Sequence, residues 1–255
     1  MTLSNPHHFS NECRLNKKEK KMKKENKMRK EFLDTASHEL KTPLTQIYTA
    51  AQLLKEFDFK GDKRELVNFI LNGSEKLKYL LNNFFEYSKW DRNDGKLEKE
   101  EEDLVSLITK SVKDLQFFIE KRQHEVILNL PESLIFKFDK IRIEQVMINL
   151  LTNAIKYTPS QGKIIITLTK EKEYVILSVE DTGIGLTEKE IKKLFKKFTV
   201  LKRGKSLNFD IYMEGTGLGL YISKKIIESH DGVIWVESDG ENQGSIFYVK
   251  MPLLK

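Results

Sequence analysis

The sequence predicts a two-part, multidomain α and α+β chain. A helical hairpin pairs with a second copy as a dimeric four-helix bundle, and an α/β-sandwich domain follows, with helices on one face of a mixed sheet. Three observations predict it. Apolar residues recur at heptad spacing through the first third of the chain. That pattern stops at Asp91-Arg92-Asn93-Asp94-Gly95. Beyond it, amphipathic stretches alternate with short β-rich runs bounded by turn residues.

In order, residues 1–15 show no periodicity and are expected to be disordered, and 16–30 form a basic helical lead-in. One long helix is predicted from about Asn16 to Phe57, with a seam of Leu33, Ala36, Leu40, Pro43, Ile47, Ala50 and Leu54 spaced 3, 4, 3, 4, 3, 4. The turn signal Asp58-Phe59-Lys60-Gly61-Asp62 precedes a second helix to about Lys89, with the seam Leu66, Ile70, Gly73, Leu77, Leu80, Phe84 and Tyr87. One hairpin buries only part of such a stripe, so residues 31–92 are expected to form a homodimer. A linker over 93–103 then leads into a domain over 104–255. There the pattern predicts helices over Leu104–Arg122, Asp139–Tyr157, Thr187–Phe195 (capped by Thr187) and Leu218–Ser229. Strands are predicted at Glu125–Leu130, Ile135–Phe138, Ile164–Thr169, Tyr174–Val179, Val233–Glu237 and Ile246–Met251.

The 255 residues are 39% hydrophobic and 32% charged, enough for two small cores. Cys13 is the one cysteine, so no internal disulfide forms, which suits a reducing compartment. No run of roughly 18 apolar residues and no apolar signal core occurs, which predicts a cytoplasmic location. The formal charge of +6 is concentrated: residues 17–30 hold nine Lys or Arg against Glu19 and Glu25, a net +7 that leaves −1 for the rest. A single helical run without interleaved aromatics is not the footprint of a nucleic-acid domain, and no direct nucleic-acid binding is expected. It reads as a solvated helix or, more sharply, as a segment lying beside anionic lipid.

If Leu33 takes the first core position of its heptad, His38 stands at the outermost one, with Glu39 at the flank and Thr42 one turn on. An exposed neutral imidazole is a competent nucleophile, and a neighbouring carboxylate activates it. Pro43 just after it suggests a hinge. His7, His8, His124 and His230 carry no such setting. Asn149 and Asn153 lie four apart on one helix face that Lys156 and Tyr157 extend. Amide oxygens suit Mg²⁺, the lysine suits phosphate, and the tyrosine offers a flat face. Asp181-Thr182-Gly183-Ile184-Gly185 follows a strand, where a carboxylate accepts from an exocyclic amine such as adenine N6 and glycines admit a close ligand. Gly215-Thr216-Gly217-Leu218-Gly219-Leu220 opens a helix and so presents backbone N–H groups to an anion. No P-loop Lys-Ser/Thr follows it, and the polar loop Leu201 to Glu214 before it is expected to act as a lid.

Together these segments resemble the sensor histidine kinases. Phe32-Leu33-Asp34-Thr35-Ala36-Ser37-His38-Glu39-Leu40-Lys41-Thr42-Pro43-Leu44 resembles their H-box. The three later segments resemble the N, G1 and G2 boxes, and Lys193-Leu194-Phe195-Lys196-Lys197-Phe198 the F-box, of the Bergerat-fold ATPase domain. The resemblance covers about residues 30–253 and implies ATP-dependent phosphorylation of His38 with Glu39 as general base, then transfer to an aspartate of a response-regulator receiver domain. It implies a phosphatase role for Thr42, Asn153 as principal Mg²⁺ ligand with Asn149 assisting, Lys156 on phosphate, Tyr157 against the nucleotide and Asp181 on adenine. Gly183, Gly185, Gly215, Thr216, Gly217, Leu218 and Gly219 match the nucleotide loops. The location becomes cytoplasmic, or the cytoplasmic portion of a membrane-bound sensor. Attack within one chain and across the dimer are both open. The family's arginine after the F-box is replaced by Thr199-Val200-Leu201, with Lys202, Arg203 and Lys205 as candidate substitutes. A conformational ATPase clamp is the competing enzyme class; it would want a glutamate where Asn149 stands. An inactive docking scaffold is the non-enzymatic reading.

Overall fold

The structure is a computed structural model. It describes residues 40–54, the positions 66, 67, 70, 71, 73, 74, 77, 78 and 81, and then 96–197, 199, 200 and 217–253. The chain divides into two compact units, Met1–Leu77 and Lys78–Lys255.

In the first unit a helix (α1) occupies 40–54 and runs through Pro43, and the described positions from 66 to 77 are helical as well (α2). The seam is where burial lies. Pro43, Ala50, Leu66 and Gly73 are buried and Leu40, Ile47, Leu54, Ile70 and Leu77 half-buried, whereas the off-seam Leu44, Tyr48, Val67 and Leu71 are exposed. Gly73 has a reason beyond hydropathy: a Cβ there would meet the Pro43 carbonyl oxygen at 3.0 Å and the Ile47 side chain at 2.9 Å. The missing side chain lets α2 lie close on α1.

The second unit has a five-stranded mixed sheet built from β2 (Glu125–Asn129), β4 (Lys163–Lys170), β5 (Tyr174–Asp181), β6 (Val233–Glu237) and β7 (Ser245–Pro252), in the order β2-β4-β5-β7-β6. β2 and β4 are parallel and the other pairs antiparallel. A two-stranded ribbon joins β1 (Glu100–Asp103) to β3 (Ile135–Phe138). Period-two alternation sends one face inward: Ile164, Ile166 and Leu168 from β4, Val175, Leu177 and Val179 from β5, and Phe247, Val249 and Met251 from β7. Helices α3 (Leu104–Asp114), α5 (Lys140–Tyr157) and α7 (Gly219–Ser229) cover that face through Leu104, Ile108, Met147, Leu150, Ile155, Ile226 and Ile227, all at most 4% exposed.

Caps fix the helix starts. Asp139 accepts from the Arg142 N–H at 3.1 Å and from the Glu98 N–H at 2.9 Å, and Asp103 accepts from the N–H groups of Val105 (3.1 Å) and Leu134 (2.9 Å). Thr187 caps as expected, in a reciprocal box with Glu190.

Three expectations change. The helix expected over 104–122 breaks at Leu115 and resumes as α4 (Gln116–Lys121), because the chain tightens to a Leu115 N–H to Val112 carbonyl bond (3.1 Å) that keeps both Leu115 and Ile119 buried. The helix from Thr187 is only α6 (Glu188–Ile191), after which three-residue turns carry the chain onward. The span expected as linker over 93–103 contributes β1, whose acidic run Glu100-Glu101-Glu102 carries no strand-like hydropathy and pairs because β3 supplies an edge.

Candidate functional site

The strand register builds the site's polar floor. Asp181 is the last inward position of the row Val175, Leu177, Val179, and it is 5% exposed. Its cross-strand partner is Ser245, the first inward position of β7. The Ser245 hydroxyl donates to Asp181 Oδ2 at 2.6 Å, and the Gly183 N–H donates to Oδ1 at 2.8 Å. Burial holds the Asp181 carboxyl above its ordinary range, and these two donors offset only part of the rise. A carboxylate so held has acceptor capacity left for an amine entering the cavity.

That cavity has a volume of about 380 Å³. One wall is the α5 face bearing Asn149, Asn153, Lys156 and Tyr157. Other walls come from Asp181, Ile184 and Gly185 after β5, from Leu194, Thr199 and Val200, from Ser245 and Phe247, and from Gly217, Gly219, Leu220 and Ser223 around the start of α7. The N-cap of α7, Leu218, makes no side-chain cap bond, so no capping side chain competes with a ligand anion at this helix start. Among the described residues lining the cavity, Lys156 is the one Lys or Arg. It is 6% exposed, with its Nζ 4.9 Å from the centre of the Tyr157 ring. Burial raises the Tyr157 hydroxyl to a pKa of about 12, so it stays a neutral phenol at physiological pH.

The two asparagines differ. Asn149 donates its Nδ2–H to Ser223 Oγ at 2.9 Å, whereas the Asn153 amide has no hydrogen-bond partner among the described residues. No cluster of three His, Cys, Asp or Glu able to hold a metal occurs among the described residues. The donor set therefore fits a hard cation that arrives with phosphate and water and takes one or two amide oxygens, and does not fit an all-protein cage.

The loop glycines serve the protein as well as any ligand. A Cβ on Gly183 would strike the Tyr157 carbonyl, which accepts from the Ile184 N–H at 3.1 Å, and a Cβ on Gly185 (φ +61°) would strike the Gly240 carbonyl. On Gly219 it would strike Asn149 Oδ1. Gly183 and Leu218 are buried beside the cavity rather than in its lining. Thr42 is exposed on α1. His38, Glu39, Lys202, Arg203, Lys205, Gly215, Thr216 and the expected lid over 201–214 lie outside the described residues, as do the basic segment 17–30 and residues 1–15.

Residues 138–255 match the family model described as histidine kinase-, DNA gyrase B- and HSP90-like ATPase, and residues 28–93 match the His Kinase A (phospho-acceptor) domain. The solved catalytic domain of the histidine kinase ThkA is 35% identical, with a TM-score of 0.53 over 61% of this chain and 98% of that one. The chain belongs to the sensor histidine kinase family.

Other histidine kinases agree. The circadian input-output histidine kinase CikA of Synechococcus elongatus is 34% identical over 228 residues, 87% of this chain and 30% of that protein. The sensor histidine kinase WalK of Bacillus subtilis is 32% identical over 228 residues, 87% of this chain and 36% of that protein. The chain thus spans about a third of the length of these curated relatives. Acinetobacter baumannii histidine kinase AdeS aligns with a TM-score of 0.68 at 29% identity, over 86% of this chain and 98% of that one. ThkA in complex with the response regulator protein TrrA aligns with a TM-score of 0.64 at 27% identity, over 92% of this chain and 66% of that one. For this histidine kinase, sequence reasoning missed Ser245 and Ser223. Ser245 had a faint signal, a hydroxyl directly after a turn glycine at a strand start. Ser223 had none, because a serine inside an amphipathic helix reads as filler.

Proposed function

We propose that the chain is the catalytic core of a two-component sensor kinase, moving the γ-phosphoryl group of ATP to His38 and from there to an aspartate of a response-regulator receiver domain. The observation that carries this is one cavity collecting a buried carboxylate, an amide-bearing helix face, a lysine and an uncapped helix N-terminus. In this reading Asp181 accepts from the adenine amine and Tyr157 lines the base. Lys156 and the backbone N–H groups from Gly217 into α7 hold the phosphates, with Gly215 and Thr216 extending that loop. Asn153, assisted by Asn149, holds Mg²⁺, which when bound neutralises phosphate charge.

A neutral His38 nitrogen attacks the γ-phosphorus, the bond to the β-phosphate oxygen breaks, and ADP leaves. Glu39 takes the proton from the other ring nitrogen. The phosphoryl group then passes from His38 to a carboxylate oxygen of the receiver aspartate. Thr42 orients a water for the reverse task, hydrolysis of that acyl phosphate. The ThkA structure with its response regulator supports a receiver domain as partner. The half-covered seam of α1 and α2 supports a homodimer. The basic run 17–30 supports proximity to an anionic membrane surface, with the catalytic parts on the cytoplasmic side. No helix among the described residues is long and apolar enough to cross a membrane.

Incubation with [γ-³²P]ATP and Mg²⁺ tests the assignment. Label should appear on the chain, acid-labile and alkali-stable as a P–N bond requires, and His38→Gln should lose more than about 99% of it while still binding nucleotide. Full labelling of His38→Gln would overturn the reading.

A further inference from the structure

Asn149 occupies the ligand cavity with its amide already committed at one end. Its Nδ2–H donates to Ser223 Oγ at 2.9 Å, across the packed interface of α5 and α7. Its Oδ1 lies against the Gly219 backbone, close enough that a Cβ on Gly219 would collide with it. Ser223 is 2% exposed, lines the same cavity, and sits one helical turn beyond Gly219. An asparagine amide has two nearly isosteric ends of opposite character: the oxygen is attractive to a cation and the NH₂ repulsive. Which end faces the ligand is set here by the bond to Ser223 together with the contact of Oδ1 with Gly219.

We propose that Ser223 is a positioning residue for metal-nucleotide binding, orienting the Asn149 amide so that Oδ1 is presented at the start of α7. The inference rests on the reading of the cavity as a Mg²⁺-nucleotide site. Two features make the orientation matter in this chain. Lys156 is the one cation among the described residues lining the cavity, and a bound metal would add to its positive charge beside a polyphosphate. Gly219 and Ser223 clasp the amide from successive turns of one helix, so placing the glycine-opened N-terminus of α7 and orienting the amide are a single act of packing. Replacing Ser223 with alanine frees the amide to turn its NH₂ toward the cation. Threonine keeps the hydroxyl.

The test is calorimetric titration of a non-hydrolysable ATP analogue into the full chain, with MgCl₂ varied and with EDTA, for wild type, Ser223→Ala and Ser223→Thr. Ser223→Ala should raise the Mg²⁺ concentration for half-maximal enhancement about five-fold, the scale set by one hydrogen bond, and should lower affinity in EDTA by clearly less than affinity in Mg²⁺. Ser223→Thr should restore the wild-type Mg²⁺ dependence. An unchanged Mg²⁺ dependence in Ser223→Ala overturns the inference, and so does an equal loss with and without Mg²⁺, which marks a packing role. A wild-type chain that binds the analogue no better with Mg²⁺ than with EDTA removes the functional reading itself, and the inference with it.

Discussion

At the scale of single residues, the chain's buried histidines are built to stay neutral. His230 is 3% exposed; its Nδ1–H donates to the Ile226 carbonyl at 2.8 Å and its Nε2 accepts the Asp139 N–H at 3.0 Å. An acceptor nitrogen cannot carry a proton, so protonation of His230 breaks the bond that ties the end of α7 to the cap of α5. Burial holds its pKa below the ordinary 6.5, against the pull of the Ile226 carbonyl and of Asp139 and Asp231; Lys99 adds to the depression. His124 is depressed by burial in the same direction. A depressed folded-state pKa contributes stability that is present above about 6.5 and is lost as pH falls through the folded-state value. The urea midpoint should therefore drop between about pH 7.5 and pH 5.5, and His230→Gln should flatten that drop, with His124 accounting for the remainder. A slope unchanged in His230→Gln would show that this imidazole is not the titrating group.

At the scale of elements, the turn after β5 is laced to the loop between β6 and β7. The Asn242 N–H donates to the Ile184 carbonyl at 2.8 Å and the Gly244 N–H to the Gly183 carbonyl at 3.1 Å, while Gly185 and Glu241 form an isolated bridge. Gly185 combines φ +61° with the Gly240 carbonyl at its α-carbon, so Gly185→Ala is both strained and blocked and should cost about 2–4 kcal/mol by urea unfolding. Gly240→Ala, at φ +126° but with nothing within 4 Å of its Cβ, should cost clearly less, having strain without collision. Equal costs would mean that backbone conformation alone matters there. The sequence identified Gly183 and Gly185 by pattern and assigned them to ligand access. Their protein neighbours were illegible because Gly240 and Gly244 are distant in the chain and meet this turn only through the β5–β7 register. Ser245 was missed for the same reason: its role exists only because that register places it opposite Asp181. By contrast Asn149, Asn153, Lys156 and Tyr157 were legible as one face, since helical spacing is a local property that needs no partner.

At the scale of the whole molecule, the heptad seam was legible because it depends on nothing but period. Its described positions are buried or half-buried, whereas the off-seam Leu44, Tyr48, Val67 and Leu71 are exposed. β1 was illegible because its acidic residues form a strand only once β3 offers an edge. The division of the chain makes a sharper claim possible. Every described residue lining the cavity falls between Ile141 and Phe247, inside the second unit, and the Asp139 cap that starts α5 takes a donor from Glu98 in the same unit. Nucleotide binding should therefore be carried by residues 96–255 alone. The catalytic domain of ThkA, which matches 61% of this chain, is a precedent for such a piece as a separate structure. The 96–255 fragment should bind the ATP analogue with Mg²⁺ within about two-fold of the full chain, since it keeps every described residue of the cavity lining. It should take up no label from [γ-³²P]ATP, because His38 is absent, and it should run as a monomer where the full chain runs as a dimer. A fragment that folds cooperatively yet loses more than about ten-fold in affinity would place part of the nucleotide site in the helical hairpin and overturn the separation of binding from phosphoacceptor.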